Sequence, residues 1–177
     1  MADTPEVWLR GPVEGIPPLL QPVAHSLLQS REELHSALGR MAPADIWVAP
    51  GGAASVGFHT RHAAGSLDRL FTYARGEQLS AAQRAAMAAE AQPDLRPQVV
   101  PALLAEFDAA VERALDQLRS TTETALRAPR GVGRAQLPST VLGLLFHAAE
   151  HTQRHLGQIV TTAKIVAAQS AASSVEP

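Results

Sequence analysis

Residues 146–158 read Phe-His-Ala-Ala-Glu-His-Thr-Gln-Arg-His-Leu-Gly-Gln, a segment of helical periodicity with three histidines four residues apart. Residues four apart lie one above the other on a helix, so two neighbouring imidazoles of this segment can bind the same metal ion. His147, His151 and His155 rise over two turns, about 12 Å at 1.5 Å per residue, so one ion cannot reach all three. A third ligand therefore has to come from another part of the chain.

Length and composition predict a single all-α domain. The chain has 177 residues, of which 46% are hydrophobic, and this is enough to bury one good core. Alanine is abundant, aromatic and β-branched runs are scarce, and prolines cluster outside the periodic segments. These features favour helices over strands.

Charge and cysteine content exclude several classes of protein. The formal net charge is -2 and the basic residues are scattered, so the sequence predicts no nucleic-acid partner. The chain has no cysteine, which excludes disulfides, thiolate ligands and a cysteine nucleophile, so a metal site must use histidine and carboxylate. No apolar run reaches the roughly 18 to 20 residues of a membrane span, and the N-terminus does not resemble a signal peptide. We therefore expect a cytoplasmic protein with no membrane partner.

Proline and glycine divide the chain into four long helices and one short helix in the crossover between the second and third long ones. The predicted helices cover residues 19–41, 55–75, 80–91, 102–128 and 138–168, and the short one is residues 80–91. Ser55 and Ser80 are predicted N-caps, and Gly76 is predicted to end the second helix. We expect an irregular N-terminal arm at residues 1–16, the bundle at residues 17–168 and a disordered tail at residues 169–177.

His151 and His155 fall on the inward face of the last predicted helix. The apolar positions that trace this face are Val141, Leu144, Leu145, Ala148, Ile159, Ala163 and Val166. Imidazoles in an apolar core cost free energy unless their nitrogens have partners, and a metal ion satisfies one nitrogen of each ring. A lone inward histidine would be interpreted as a core residue. Two of them at this spacing, with a third candidate elsewhere, favour a metal site.

The third candidate is His62 on the second helix. It shares a face with Phe58, Gly65 and Arg69, whereas His59 lies on the flank of that face. We expect Gly65 and its small neighbours to leave space beside the ion for water or a ligand. Three histidines with one open position suit catalytic zinc, and nickel or another borderline divalent ion is equally compatible.

Other histidine patterns do not indicate a site. His151-Thr-Gln-Arg-His155 has zincin spacing, but Thr152 occupies the place of the catalytic glutamate, so a metalloprotease is not expected. Glu150 projects about 100° away from His151, which suggests a solvated carboxylate or one behind a ligand. His25 and His35 do not share a face of the first helix, and we interpret both as structural or surface residues.

Several motifs together resemble the DinB-like superfamily of helical metal proteins. They are His62-Ala-Ala-Gly-Ser66, the pair His151 and His155 followed by Leu-Gly-Gln158, the opening Pro-Pro-Leu-Leu-Gln-Pro at residues 17–22, and Gly-Phe-His-Thr-Arg-His at residues 57–62. The resemblance covers roughly residues 17–168. It implies an up-down-down-up four-helix bundle whose divalent metal is bound by His62, His151 and His155, so it selects His151 and His155 over His147 and His151.

The chain departs from the superfamily pattern at two positions. Leu156 stands where arginine is usual, and Leu67 stands where many members carry an acidic residue, with Asp68 one place later. Roles that depend on that arginine or that carboxylate do not carry over.

The resemblance also implies a function, that of thiol transferases that use bacillithiol, mycothiol or glutathione. In these proteins the metal binds the sulfur of the cofactor, and a neighbouring cation lowers the pKa of a thiol. Gln158 would then orient a ligand or substrate, and Arg69 or Arg61 would contact the carboxylates of the cofactor. We expect His59 and His147 near the site but outside the set of metal ligands.

Two other functions remain open from the residues alone. Metal-dependent hydrolysis would need a nearby base, for which Asp68, Glu150 and the spare histidines are available. A non-catalytic binding or stress protein would use the ion for structure. For the enzymes we expect a small-molecule substrate, and a homodimer is compatible with the sequence.

Overall fold

The structure is a computed structural model that describes residues 4–173, and it is an all-α bundle of four long helices. The long helices are α1 (Gln21–Leu38), α2 (Val56–Ala74), α4 (Val99–Ser120) and α5 (Val141–Ser173). A short helix, α3 (Ala81–Ala89), lies in the crossover from α2 to α4, and a hairpin of β1 (Pro129–Val132) and β2 (Leu137–Thr140) precedes α5. Five short 3-10 segments lie at Val7–Leu9, Pro18–Leu20, Pro43–Asp45, Pro50–Gly52 and Glu123–Arg127. The predicted fold class and the crossover helix are confirmed.

The local signals for the ends of α2 and α3 act as the sequence predicts. The Ser55 hydroxyl accepts a hydrogen bond from the backbone N–H of Phe58 at 3.2 Å, which satisfies a donor of the first turn of α2. Gly76 adopts a φ of 83° just after that helix, a conformation that favours glycine. Ser80 and Gln83 form a reciprocal capping box at the start of α3.

The boundaries of α4 differ from the prediction at both ends. The helix begins at Val99 and includes Pro101, because the N–H groups of a first turn have no partner within the helix and proline loses nothing there. It ends at Ser120, eight residues before the predicted end at residue 128. The hydroxyls of Ser120 and Thr121 both donate to the backbone carbonyl of Gln117. They take the place of the backbone N–H group that would bond to this carbonyl if the helix continued.

The sequence predicts only a helix stop before α5, but a β-hairpin forms there. Pro129 pairs with Thr140 and Val132 pairs with Leu137 in an antiparallel register, and α5 begins directly after β2. At its other end α5 continues to Ser173, so residues 169–173 of the predicted tail are helical. Residues 1–3 of the predicted arm and 174–177 of the predicted tail lie outside the described residues.

Contacts between the helices establish their directions. The pairs are Arg31–Glu112 and His35–Asp108 for α1 and α4, Asp68–Arg113 and Phe71–Gln117 for α2 and α4, and His59–His155 and His62–His151 for α2 and α5. Between α2 and α4 the residue numbers of the paired residues rise together, so these two helices are parallel. In the other two sets one number rises as the other falls, so α4 is antiparallel to α1 and α2 is antiparallel to α5. The bundle therefore has the predicted up-down-down-up topology.

One apolar core fills the space between the four long helices. Its largest fully buried side chains include Leu27, Leu67, Phe107 and Leu145, one from each long helix. Across the described range 4–173, no helix combines the length and the hydropathy needed to span a membrane.

Replacing Leu145 tests this core. Leu145 is 0% exposed, and Leu145→Ala should lower the free energy of unfolding by about 2–5 kcal/mol because it leaves a cavity in a packed interior. Leu142, three residues earlier on α5 and 40% exposed, is the matched control, and Leu142→Ala should cost less than about 1 kcal/mol. Urea unfolding measures both, and equal losses would contradict the assigned inward face of α5.

Candidate metal site

Four histidines meet in the interface between α2 and α5. His59 and His62 lie one turn apart on α2, His151 and His155 lie one turn apart on α5, and the antiparallel packing brings the two pairs together. His59 is buried and the other three rings are partly buried. The cluster therefore lies at the margin of the core, between apolar side chains and solvent.

Three of the four rings point the same nitrogen at a common centre. The Nε2 atom of His151 lies 3.1 Å from Nε2 of His62 and 3.2 Å from Nε2 of His155, and the three residues can offer ligand atoms within 4.8 Å of one another. Ligands at 2.0–2.1 Å from a tetrahedral zinc ion lie about 3.3 Å apart. The spacing of these rings is thus compatible with a single divalent ion, as the sequence predicts.

The other nitrogen of His62 is bound to a carboxylate. Nδ1 of His62 lies 2.7 Å from Oε2 of Glu90, and the second oxygen of Glu90 accepts a hydrogen bond from Nη1 of Arg69 at 2.6 Å. An ionised carboxylate only accepts, so Nδ1 of His62 carries the proton of the neutral ring and Nε2 keeps its lone pair. That lone pair faces the centre of the cluster.

His59 lies behind His155 and not among the three converging rings. The Nδ1 atoms of His59 and His155 are 3.0 Å apart, so one of them donates to the other. If Nδ1 of His155 donates, its Nε2 is the unprotonated nitrogen and faces His151. The Nδ1 atom of His151 is buried and has no hydrogen-bond partner among the described residues.

Burial favours the neutral, metal-binding form of these rings. The pKa of His155 is lowered to about 4, first by burial and then by the neighbouring imidazoles of His62, His151 and His59. Burial, and then the neighbouring imidazole of His62, also lower the pKa of His151 and the pKa of His59. Near pH 7 these three imidazoles are therefore uncharged and have lone pairs to offer.

On the side of Glu90 and Arg69, the space expected beside Gly65 is taken by protein. A Cβ atom at Gly65 would lie 2.6 Å from Oε1 of Glu90 and 2.7 Å from Nη1 of Arg69, so the glycine lets that ion pair pack against α2. On another side the Phe58 ring stacks on His62 with 5.6 Å between ring centroids.

The remaining candidate residues occupy different surroundings. His147 is half exposed, contacts Glu150 through Nδ1 at 3.1 Å, and has its ring centroid 5.5 Å from that of His151. Gln158 is exposed on α5. Arg69 is buried against Glu90, and Arg61 lies over the Trp47 ring and donates to the carbonyl of Gln92, so both arginines already have partners in the protein.

Glu90 is the contact that sequence reasoning missed. The sequence indicates Asp68 and Glu150 as candidate carboxylates, but Asp68 accepts from Gln83 and Glu150 pairs with Arg154 on the surface. Glu90 directly follows an alanine-rich exposed helix, where a glutamate normally faces solvent, and it is nonetheless only 7% exposed. No local sequence pattern distinguishes Glu90 from a surface glutamate. Because Glu90 also lies far from His62 in the sequence, their contact could not be predicted from it.

The fold and the histidine cluster define a class, a four-helix bundle with a candidate three-histidine metal site. The sequence profile of the DinB superfamily matches residues 26–159, and the chain belongs to that superfamily. A solved structure, the crystal structure of the conserved protein of locus from Enterococcus faecalis, is similar with a TM-score of 0.65 and 21% identity, over 84% of this chain and 97% of that chain. At this identity the likeness shows the fold alone. No curated protein matches the chain.

The stability of the metal-free protein should depend on pH through His155. Its pKa is lowered from 6.5 to about 4 on folding, so the unfolded chain binds the proton more tightly and acid favours unfolding. The stabilising contribution is complete above pH 6.5 and is lost as the pH falls towards about 4. Urea unfolding across this range should show a smaller loss in His155→Gln than in wild type, and an identical loss would contradict this origin.

Proposed function

We propose that this protein binds one divalent metal ion through Nε2 of His62, His151 and His155. The observation that carries the proposal is the convergence of these three nitrogens, at separations near those of ligands on one ion. Three lone pairs directed at one point repel each other without a cation or protons between them. A cation satisfies all three at once, and the low pKa of His155 disfavours protons there.

Zinc or nickel is the metal we propose. Imidazole nitrogens suit zinc, copper, iron and nickel, and the chain has no cysteine that would bias the site towards softer ions. Three protein ligands leave at least one position for an exogenous molecule, which is the arrangement of catalytic sites.

We further propose that the protein is an S-transferase that uses a low-molecular-weight thiol as co-substrate and a small molecule as acceptor. A bound divalent ion would lower the pKa of a thiol that occupies the open position. The thiol loses its proton, its sulfur forms a bond to an electrophilic carbon, and the leaving group departs with the electrons of the broken bond. Because the chain has no cysteine, the sulfur has to come from the added thiol.

The surrounding residues suggest how the protein assists this reaction. His147 is half exposed beside His151, so its imidazole can pass the thiol proton to water. Gln158, one turn beyond His155 on α5, is exposed and available to orient a ligand. We do not assign carboxylate binding to Arg69 or Arg61, since both guanidinium groups are engaged within the protein.

Metal-dependent hydrolysis is the second candidate, and the position of His147 is the observation in its favour. A half-exposed imidazole close to the cluster could accept a proton from an attacking water. Asp68 and Glu150, the other candidate bases, have protein partners, which weakens this candidate relative to transfer.

Metal content tests the first proposal. Purified protein should hold about one divalent ion per chain, and His151→Ala should lose nearly all of it on dialysis because two imidazoles bind far more weakly than three. Elemental analysis measures the metal and a thermal melt confirms folding. His35→Ala, which changes a histidine of α1 paired with Asp108 of α4, is the control and should keep the metal. Full metal retention by folded His151→Ala would contradict the site.

Thiol dependence separates the two reactions. With an electrophile such as a chloronitroarene, product should form only when a small thiol is added, should disappear with a chelator, and should return when a divalent ion is restored. Cleavage of an ester without any thiol, abolished in His155→Ala, would reject transfer and support hydrolysis. A cobalt-substituted protein whose spectrum does not change with thiol or with pH would instead support a structural ion and a non-catalytic binding protein.

A further inference from the structure

Hydrophobic burial does not explain the position of the crossover helix α3. This helix has nine residues, Ala81–Ala89, and buries none of them. A helix this short is marginal on its own, and helices in proteins are normally held by an apolar face that packs on the core. Something other than apolar packing therefore holds α3 against α2.

Polar contacts attach the crossover to α2 and to the segment before α2, on both sides of Glu90 in the sequence. On the N-terminal side of Glu90, the side-chain amide of Gln83 donates to Oδ2 of Asp68 at 2.6 Å and to the hydroxyl of Thr72 at 2.7 Å. On the C-terminal side of Glu90, two backbone carbonyls of the crossover accept hydrogen bonds. The carbonyl of Asp94 accepts from Nε1 of Trp47 at 2.8 Å, and the carbonyl of Gln92 accepts from Arg61 of α2 at 2.6 Å. The two sets of contacts fix the backbone that carries Glu90.

Glu90 is the buried residue at the end of α3, and both of its carboxylate oxygens are engaged. One oxygen bonds to Nδ1 of His62 and the other forms an ion pair with the buried Arg69. The cost of desolvating both ions offsets their attraction, so a buried ion pair is weak evidence for stability alone. Gly65 adds to this picture, because any larger residue there would displace the pair from α2.

We propose that α3 and its attachments serve to deliver Glu90 to His62 as a positioning residue for the metal site. This inference rests on the proposed metal site. Glu90 holds the proton of the neutral His62 ring on Nδ1, which keeps the Nε2 lone pair directed at His151 and His155 and raises the basicity of that nitrogen. Arg69 holds the Glu90 carboxylate in place, and Gly65 provides the room for both.

The tautomer of His62 tests the proposal without any metal. In metal-free protein at pH 8, nitrogen-15 correlation spectra should show His62 as the Nδ1–H tautomer in wild type, and a mixture or the Nε2–H tautomer in Glu90→Ala. Glu90→Gln should fall between the two, because its amide oxygen can still accept but cannot pair with Arg69. A purely structural role for Glu90 would leave this signature unchanged in any variant that folds.

Metal affinity is the second measurement, made by zinc competition with a chromogenic chelator. Glu90→Ala should weaken zinc binding by about 10- to 100-fold, the usual effect of removing the carboxylate behind a ligating histidine. Gly65→Ala should weaken it as well, although it keeps the carboxylate, because the new methyl group displaces Glu90. The matched control is Glu106→Ala, which changes a carboxylate that lines the same cleft between α2, α3 and α4 as Glu90 does and should bind zinc like wild type.

The outcomes separate this inference from the proposed function. An unchanged tautomer together with zinc affinity within twofold of wild type in Glu90→Ala would overturn the role of Glu90. Wild-type protein that binds no divalent ion would overturn the metal site itself, while the tautomer measurement would still decide whether Glu90 sets the state of His62. Equal weakening by Glu106→Ala would show a general charge effect and would also overturn the proposal.

Discussion

The arrangement of the site depends on the antiparallel packing of α2 against α5. One helical turn separates His59 from His62 and another separates His151 from His155, so the two helices meet with imidazoles on facing turns. Burying these rings costs free energy unless their nitrogens have partners. The partners of these nitrogens, which are the other rings, Glu90 and, in the proposed function, a cation, therefore contribute to the stability of the α2–α5 interface.

Two kinds of interaction hold the parts of this protein together. The four long helices share an apolar core in which large side chains such as Leu27 and Leu145 are fully buried. The crossover buries none of the residues of α3 and is attached to α2 by hydrogen bonds and an ion pair. Apolar packing thus forms the scaffold, and the polar crossover contacts one histidine of that scaffold, His62, through Glu90.

Membership of the DinB superfamily explains the bundle, whereas the chemistry has to be argued from this chain. The guanidinium groups of Arg69 and Arg61 have partners within the protein, so recognition of a co-substrate through them is not supported. His147 and Gln158 are accessible on α5 and are the better candidates for contact with exogenous molecules. Without cysteine, a thiol reaction on this scaffold requires that both the metal and the sulfur come from solution.

Local periodicity by itself determined the long helices, the caps at Ser55 and Ser80, and the inward positions of His62, His151 and His155. These features follow from contacts within one or two turns, which the order of residues specifies directly. The β1–β2 hairpin and the contact of Glu90 with His62 were decided by tertiary structure. Glu90 lies 28 residues from His62, and only the path of the crossover, with the room left by Gly65, brings the two side chains together.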